Sequence, residues 1–276
     1  MWGIQITMKI SGNTILITGG GSGIGRGLAE ALHALGNQVI IAGRRKAPLE
    51  ETAEANPGMK FLTLDIEDRT GIRAFAGRLA AEHPDINVLV NNAGIMRAEA
   101  LLDQQDDLND AEAMVTTNLL GPIRLTAALL PLLRKQPNSA ILNVSSGLAF
   151  VPLAFTPTYC ATKAALHSYT LSLRYQLRDT TTEVIEIIPP YVQTDLIGGA
   201  EDPRAMPLKA FIAETMSVLQ ATPTPLEICV KNVHGLRFAA EEGRFEPTFN
   251  GLNEAMAAPA KAAAKSATKS AAKSAA

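Results

Sequence analysis

Tyr159-Cys160-Ala161-Thr162-Lys163 sets a phenol and an ammonium four positions apart. On a helix that spacing puts both side chains on one face. A phenol ordinarily ionises near pH ~10, and a neighbouring ammonium favours the phenolate and lowers that value. A tyrosine so placed can give or take a proton near neutrality. Chance supplies Y-x-x-x-K often, so the pair gains meaning from what precedes it. Asn143-Val144-Ser145-Ser146-Gly147 closes a strand-like run with two adjacent hydroxyls, and neighbours in a strand face opposite ways. His167 extends the 159/163 face by four more residues and reads as a packing or surface residue. Cys160 has no basic partner by spacing and reads as a small buried filler.

A second group of residues binds rather than reacts. Five glycines stand within positions 19–25, in Thr18-Gly19-Gly20-Gly21-Ser22-Gly23-Ile24-Gly25. The apolar run Thr14-Ile15-Leu16-Ile17 precedes them and reads as a buried strand. Leu28, Leu32 and Leu35 follow at helical spacing, and Gly36 stops that helix. Glycines between a strand and a helix suit a phosphate: the first amide groups of the helix point outward, and its dipole favours negative charge. About 20 residues further on, an acid would hold the ribose 2′-hydroxyl of NAD. Ala42-Gly43-Arg44-Arg45 stands there instead. Two guanidiniums match phosphate geometry, which points to NADP(H) over NAD(H).

The elements that must carry these residues alternate along the chain. Strands are expected at 14–17, 38–42, 59–65, 87–91, 139–144 and 183–188, the last ended by Pro189-Pro190. Helices are expected near 26–35, 48–55, 68–82, 106–134 and 158–178. Such alternation implies a parallel sheet covered on both faces and doubly wound, an α/β fold of Rossmann type with about seven strands. Ligands then bind beyond the carboxyl ends of the strands, where every motif above falls. The domain is expected to span 8–256, after an extension over 1–7 and before an Ala/Lys/Ser-rich, disordered tail over 257–276.

The chain has 276 residues and a net charge of −2. Four lysines of the tail face no acid there, leaving 21 basic against 27 acidic groups in the first 256 residues. That balance argues against nucleic acid as a partner. Cys160 and Cys229 make no disulfide framework, which suggests a reduced, cytoplasmic protein. No run of about 18 uninterrupted apolar residues suggests a membrane span. His33 and His234 lie in ordinary helical contexts, and no clustered His/Cys/Asp spacing suggests a metal.

The spacing T-G-x-x-x-G-x-G around Gly19, Gly23 and Gly25 resembles the short-chain dehydrogenase/reductase family. Asn91-Asn92-Ala93-Gly94, Asn118-Leu119-Leu120-Gly121 and Tyr159/Lys163 follow in the family's order over roughly 10–195. The wording of the glycine loop and of Pro189-Pro190-Tyr191 is most similar to the DltE-like branch. The resemblance implies cofactor contacts from Gly19, Gly21, Ser22, Gly23, Ile24, Gly25, Asp65, Ile66, Asn92, Ala93 and Gly94. It adds Pro189, Val192 and Thr194 beside the nicotinamide, and Tyr159 and Lys163 at its ribose. The family's serine stands thirteen positions before the tyrosine, which selects Ser146 as the catalytic hydroxyl. Asn118 implies a helix bend holding a water beside the lysine. Where the family carries P-G, this chain has Pro189-Pro190. The family's seventh-strand glycine pattern is absent, and Gly243-Arg244-Phe245-Glu246-Pro247-Thr248-Phe249 is expected to stand in for it. The implied activity is reversible hydride transfer between NADP(H) and a small carbonyl or alcohol, apolar or mixed, with Tyr159 as acid and base. A homodimer or homotetramer is implied, built on the helices near 106–134 and 158–178. A dinucleotide-binding module without turnover would not require the set Ser146, Tyr159 and Lys163.

Overall fold

The computed structural model describes residues 8–102 and 107–256; the extension and the tail lie outside the described residues. Strands and helices alternate as β1 (Thr14–Thr18), α1 (Gly23–Ala34), β2 (Gln38–Gly43), α2 (Lys46–Ala55), β3 (Lys60–Thr63), α3 (Arg69–Glu82) and β4 (Val88–Asn91). Then come α4 (Asn109–Val115), α5 (Gly121–Leu133), β5 (Ser139–Val144), α6 (Pro157–Leu177) and β6 (Thr182–Ile188). The described chain closes with α7 (Leu208–Leu219), β7 (Glu227–Cys229), α8 (Lys231–Arg237) and a helix over 245–256, α9.

The seven strands form one sheet in the order β3-β2-β1-β4-β5-β6-β7. Every neighbouring pair is parallel. The order reverses between β1 and β4, which opens a crevice at their carboxyl ends. Pleating sends alternate side chains to opposite faces. Ile15 and Ile17 pack with Leu28, Leu32, Phe211 and Leu219 of α1 and α7. Leu16 packs the other way, with Ile72, Leu79, Leu125, Leu129 and Leu173 of α3, α5 and α6.

Two expectations are corrected. The seventh strand is Glu227–Cys229, and the segment 243–249 is a turn that opens α9. Three residues are enough to extend the edge beside β6, and no glycine pattern is needed. The helix expected over 106–134 is interrupted at the bend that the resemblance implies at Asn118: Thr116–Leu120 forms a π turn between α4 and α5. Asn109–Leu133 is long and apolar enough to cross a membrane by length and composition alone. In this fold Met114, Leu125, Leu129 and Leu133 of that stretch are buried within the protein.

A polar row crosses this apolar sheet. Asn91 pairs with Asn143, Asn143 with Glu186, and Glu186 with Glu227 on four adjacent strands. The Asn91 amide donates to Asn143 Oδ1 at 2.8 Å and to Thr126 Oγ1 of α5 at 3.0 Å. The Asn143 amide donates to Thr170 Oγ1 of α6 at 2.9 Å. His167 Nδ1 of α6 lies 2.8 Å from Glu186 Oε2. Both helices are thus pinned to the sheet by directional bonds as well as by packing. Asn143 is fully buried, so Asn143→Ala leaves the Asn91 amide and the Thr170 hydroxyl short of a partner. The expected cost is about 2–4 kcal/mol, read as a lower denaturation midpoint in urea; a loss below about 0.5 kcal/mol would show that the row does not hold the helices.

Candidate active site

The end of β1 forms the floor of the crevice. Gly19 and Gly23 take positive φ, 69° and 51°, which L side chains rarely adopt. A methyl on Gly25 would stand 2.3 Å from Gly19 O and 2.4 Å from Asn92 Nδ2, so α1 approaches the strand end as only glycine permits. Ser22 precedes α1 in extended backbone with no side-chain cap, and the first turn carries no acid. The helix's first amides are therefore left for an anion. Asn91-Asn92-Ala93-Gly94 is stitched to the same strand end. Thr18 Oγ1 accepts from Asn92 N at 3.0 Å and from Ala93 N at 3.1 Å, and Asn92 Nδ2 donates to Thr18 O at 2.9 Å. This cradle fits a dinucleotide's pyrophosphate.

Arg44 and Arg45 are exposed at the end of β2. Arg44 Nη1 donates to Glu67 Oε1 at 2.9 Å, and Thr117 Oγ1 donates to the same oxygen at 2.8 Å. Glu67 is a member of the site that no motif announced. It is fixed by Asp65, whose Oδ1 accepts from Glu67 N at 2.9 Å. Ile66 is buried against Gly121, where a methyl would come within 2.5 Å of Ile66 Cγ1.

Tyr159, Lys163, Ser146 and Asn118 meet at the far wall. All four are buried. The Ser146 hydroxyl hydrogen-bonds to Tyr159 and accepts from Leu148 N at 3.1 Å. Lys163 Nζ donates to Val144 O at 2.9 Å and lies 5.6 Å from the centroid of the Tyr159 ring. A methyl on Gly94 would lie 3.3 Å from Asn118 Oδ1 and 3.7 Å from Lys163 Nζ, so the asparagine and the lysine flank one point. Asn118 stands in the π turn, accepts from Ile95 N at 2.8 Å and donates to Ile95 O at 2.8 Å. Ser145 is also buried, and its hydroxyl has no partner among the described residues.

The charge states differ from the simple expectation. Burial pushes the Tyr159 phenol well above its ordinary range, opposed by the hydrogen bond from Ser146. Burial also lowers Lys163 from its ordinary 10.5 to about 8, opposed by the charge of Glu186. Among the protein's own groups, then, Lys163 does not hold the phenol below 10; desolvation outweighs the attraction.

The loops after β5 and β6 close the site. Gly147 N donates to Pro189 O at 2.9 Å. Val192 is buried and bridges to Met206. Thr194 faces the start of α1, its Cγ2 3.4 Å from where a methyl on Gly23 would sit. Met96, Met114, Leu153 and Cys160 form an apolar cluster with Tyr159, and Leu148, Phe155, Ile197, Leu252 and Met256 pack against it. Burial raises the Cys160 thiol, as befits a filler. Leu252 and Met256 come from a region in which the motifs gave no site residue.

His167 is paired with buried Glu186 rather than free at the surface. With Glu227 these two place possible ligand atoms within 4.8 Å of one another, a grouping that the sequence spacing hid. Arg237 spans both Glu227 oxygens, Nε at 2.7 Å and Nη2 at 3.1 Å. A guanidinium in that position makes the group an ion-pair cluster and opposes a cation.

The comparisons with known proteins agree with this geometry. The oxidoreductase DltE of Bacillus subtilis is 45% identical over 207 residues, 75% of this chain and 82% of that protein. An NADP-dependent 3-hydroxy acid dehydrogenase of Schizosaccharomyces pombe is 36% identical over 195 residues, 68% of this chain and 74% of that one. The crystal structure of a short chain dehydrogenase from Burkholderia cenocepacia in complex with NADP superposes with a TM-score of 0.74 at 26% identity, covering 86% of this chain and 96% of that one. The profile of the short chain dehydrogenase family matches residues 13–204. With its parallel sheet, glycine cradle and Ser146/Tyr159/Lys163 set, this chain belongs to the short-chain dehydrogenase/reductase family of NAD(P)-dependent oxidoreductases.

Proposed function

We propose that this chain is an NADPH-dependent carbonyl reductase, reversible as an alcohol dehydrogenase. The observation that carries the reading is the convergence of buried Ser146, Tyr159 and Lys163 beside the uncapped start of α1. Gly19, Gly21, Ser22, Gly23, Ile24 and Gly25 hold the pyrophosphate on backbone amides. Arg44 and Arg45 take the 2′-phosphate, with Glu67 holding the Arg44 fork at the rim. The absence of an acid at the end of β2 and the NADP-dependent relative support that choice. Asp65 and Ile66 would flank the adenine, Asn92, Ala93 and Gly94 would line the cleft, and Pro189, Val192 and Thr194 would lie on the nicotinamide side, as in the family this chain belongs to.

A nicotinamide held in this crevice would supply hydride at its C4. Tyr159, held protonated by burial, donates its proton to the substrate oxygen. Ser146 donates a hydrogen bond to that oxygen and stabilises its developing charge. Lys163 holds the ribose and compensates the phenolate as it forms. Asn118 connects the lysine to solvent. The substrate is an apolar or mixed ketone or aldehyde, because the cluster beside Tyr159 is made of Met, Leu, Ile and Phe side chains. Exposed Val115, Leu171 and Tyr175 on α4 and α6 support a homodimer or homotetramer. The free thiols Cys160 and Cys229 fit a cytoplasmic location.

Three outcomes test these assignments. Tyr159→Phe keeps the fold and NADPH binding and lowers turnover by about 10²-fold or more, measured as NADPH oxidation over a panel of ketones and aldehydes; retention of most of the rate would place the acid elsewhere. Arg44→Ala with Arg45→Ala weakens NADPH by at least about tenfold more than NADH, measured by titration; equal losses would overturn the 2′-phosphate contact. The third concerns Lys163. Between pH about 8 and 10.5 the unfolded chain holds a proton on this lysine that the folded chain has released, so its contribution to stability rises with pH across that window. Unfolding of wild type and Lys163→Met, compared from pH 7 to 10.5, is expected to shift in favour of wild type as pH rises; parallel curves would mean that burial does not lower this amine.

A further inference from the structure

We propose that α9 is the outer wall of the substrate chamber, and that Leu252 and Met256 set how large an apolar group the carbonyl substrate can carry. The inference rests on the carbonyl-reductase reading and extends it to a segment outside the family match, which ends at residue 204.

Leu252 and Met256 stand four apart and so share one face of α9. That face packs on the cluster containing Tyr159, beside Leu148, Phe155 and Ile197. Both residues are only partly buried, as expected for groups at a mouth rather than in a closed core. Two latches hold α9 there, one to each wall. Asn253 Oδ1 accepts from Ala154 N at 2.6 Å, and Asn253 Nδ2 donates to Pro152 O at 3.2 Å. These bonds fix α9 to the apolar loop that follows Ser146. On the other side Arg204 Nη1 donates to Ala255 O at 3.2 Å. Arg204 also bonds Asp202, through Nε at 3.0 Å and Nη2 at 2.6 Å. Asp202 in turn accepts from Tyr191 Oη at 3.1 Å, in the loop after β6. The helix is therefore bound to both loops that flank the reacting phenol. Side chains at that position meet whatever the carbonyl carbon carries on the side away from the cofactor.

The test compares wild type, Leu252→Ala, Met256→Ala and Met256→Trp on a homologous series of methyl ketones of increasing chain length. The readout is the ratio of kcat/KM for long against short ketones, because a ratio within one variant cancels losses in folding or cofactor affinity. Each alanine variant is expected to raise that ratio by about tenfold, and Met256→Trp to lower it. Unchanged ratios in all variants would overturn the inference. The same series is read without turnover as thermal shifts of the NADP⁺ complexes, in which no reductant is present. If wild type reduces no ketone, the activity reading fails, and α9 is judged by these shifts alone. Shifts whose chain-length preference moves with Leu252 and Met256 support it; shifts that do not move, or no shift with any ketone, overturn it.

Discussion

Asn143 lies between two hydrophobic layers with no exposure at all, and an amide in that position must be hydrogen-bonded or the fold bears its desolvation. It is satisfied by Asn91 on one side and Thr170 on the other. The location of α6 follows from that requirement. Helix packing alone leaves a helix free to slide or turn by some fraction of an ångström, whereas hydrogen bonds lose their value steeply with misalignment. Thr170 and His167 both bond the polar row, and Lys163 bonds Val144 O one residue further along β5. Three successive turns of α6 are therefore indexed against the sheet. Tyr159, one turn earlier, is brought to Ser146 by this indexing.

The same burial sets the electrostatics. Desolvation acts on both members of the Tyr159/Lys163 pair, raising the phenol and lowering the amine, so each is biased toward its neutral form. A protonated phenol is the form that a proton donor requires. Glu186 works against the loss of charge on Lys163, and it does so from the polar row that positions α6. Positioning and charge regulation thus come from one set of buried groups. Glu186 is itself costly to bury; His167 on one carboxylate oxygen offsets part of that cost, while the other oxygen has no partner among the described residues.

Much of this was legible along the chain. Ser139–Val144 stands where an apolar run between polar flanks predicts it, because a strand buried on both faces needs no alternation. The glycine loop and the Tyr159/Lys163 pair were readable because each is local, whereas Ser146 was distinguished from Ser145, and Asn118 noticed, only through the family resemblance. What could not be read is non-local or too short. The row Asn91, Asn143, Glu186 and Glu227 depends on strand register, and nothing near any one of them announces the others. Glu67 enters the site only because β3 and the π turn converge. Strand β7 has three residues and no pattern. The resemblance put a bend at Asn118, but that the bend is a π turn is not visible, because the residues on either side carry an ordinary helical repeat. Leu252 and Met256 are visible as an apolar pair, but not as neighbours of a tyrosine nearly a hundred positions away.

The π turn has a consequence of its own. Such a turn closes hydrogen bonds over five residues instead of four and so absorbs one additional residue. The segments before and after it both bury apolar side chains, Met114 in the cluster with Tyr159 and Leu125 and Leu129 in the core of the sheet. One residue's worth of length is thereby spent locally, at the point where Asn118 turns toward Ile95 and Thr162. The chain obtains a polar group pointing into the crevice without a loop between α4 and α5. In terms of chain length this is an insertion whose displacement is not passed on, and the rest of the domain is built as though the residue were not there.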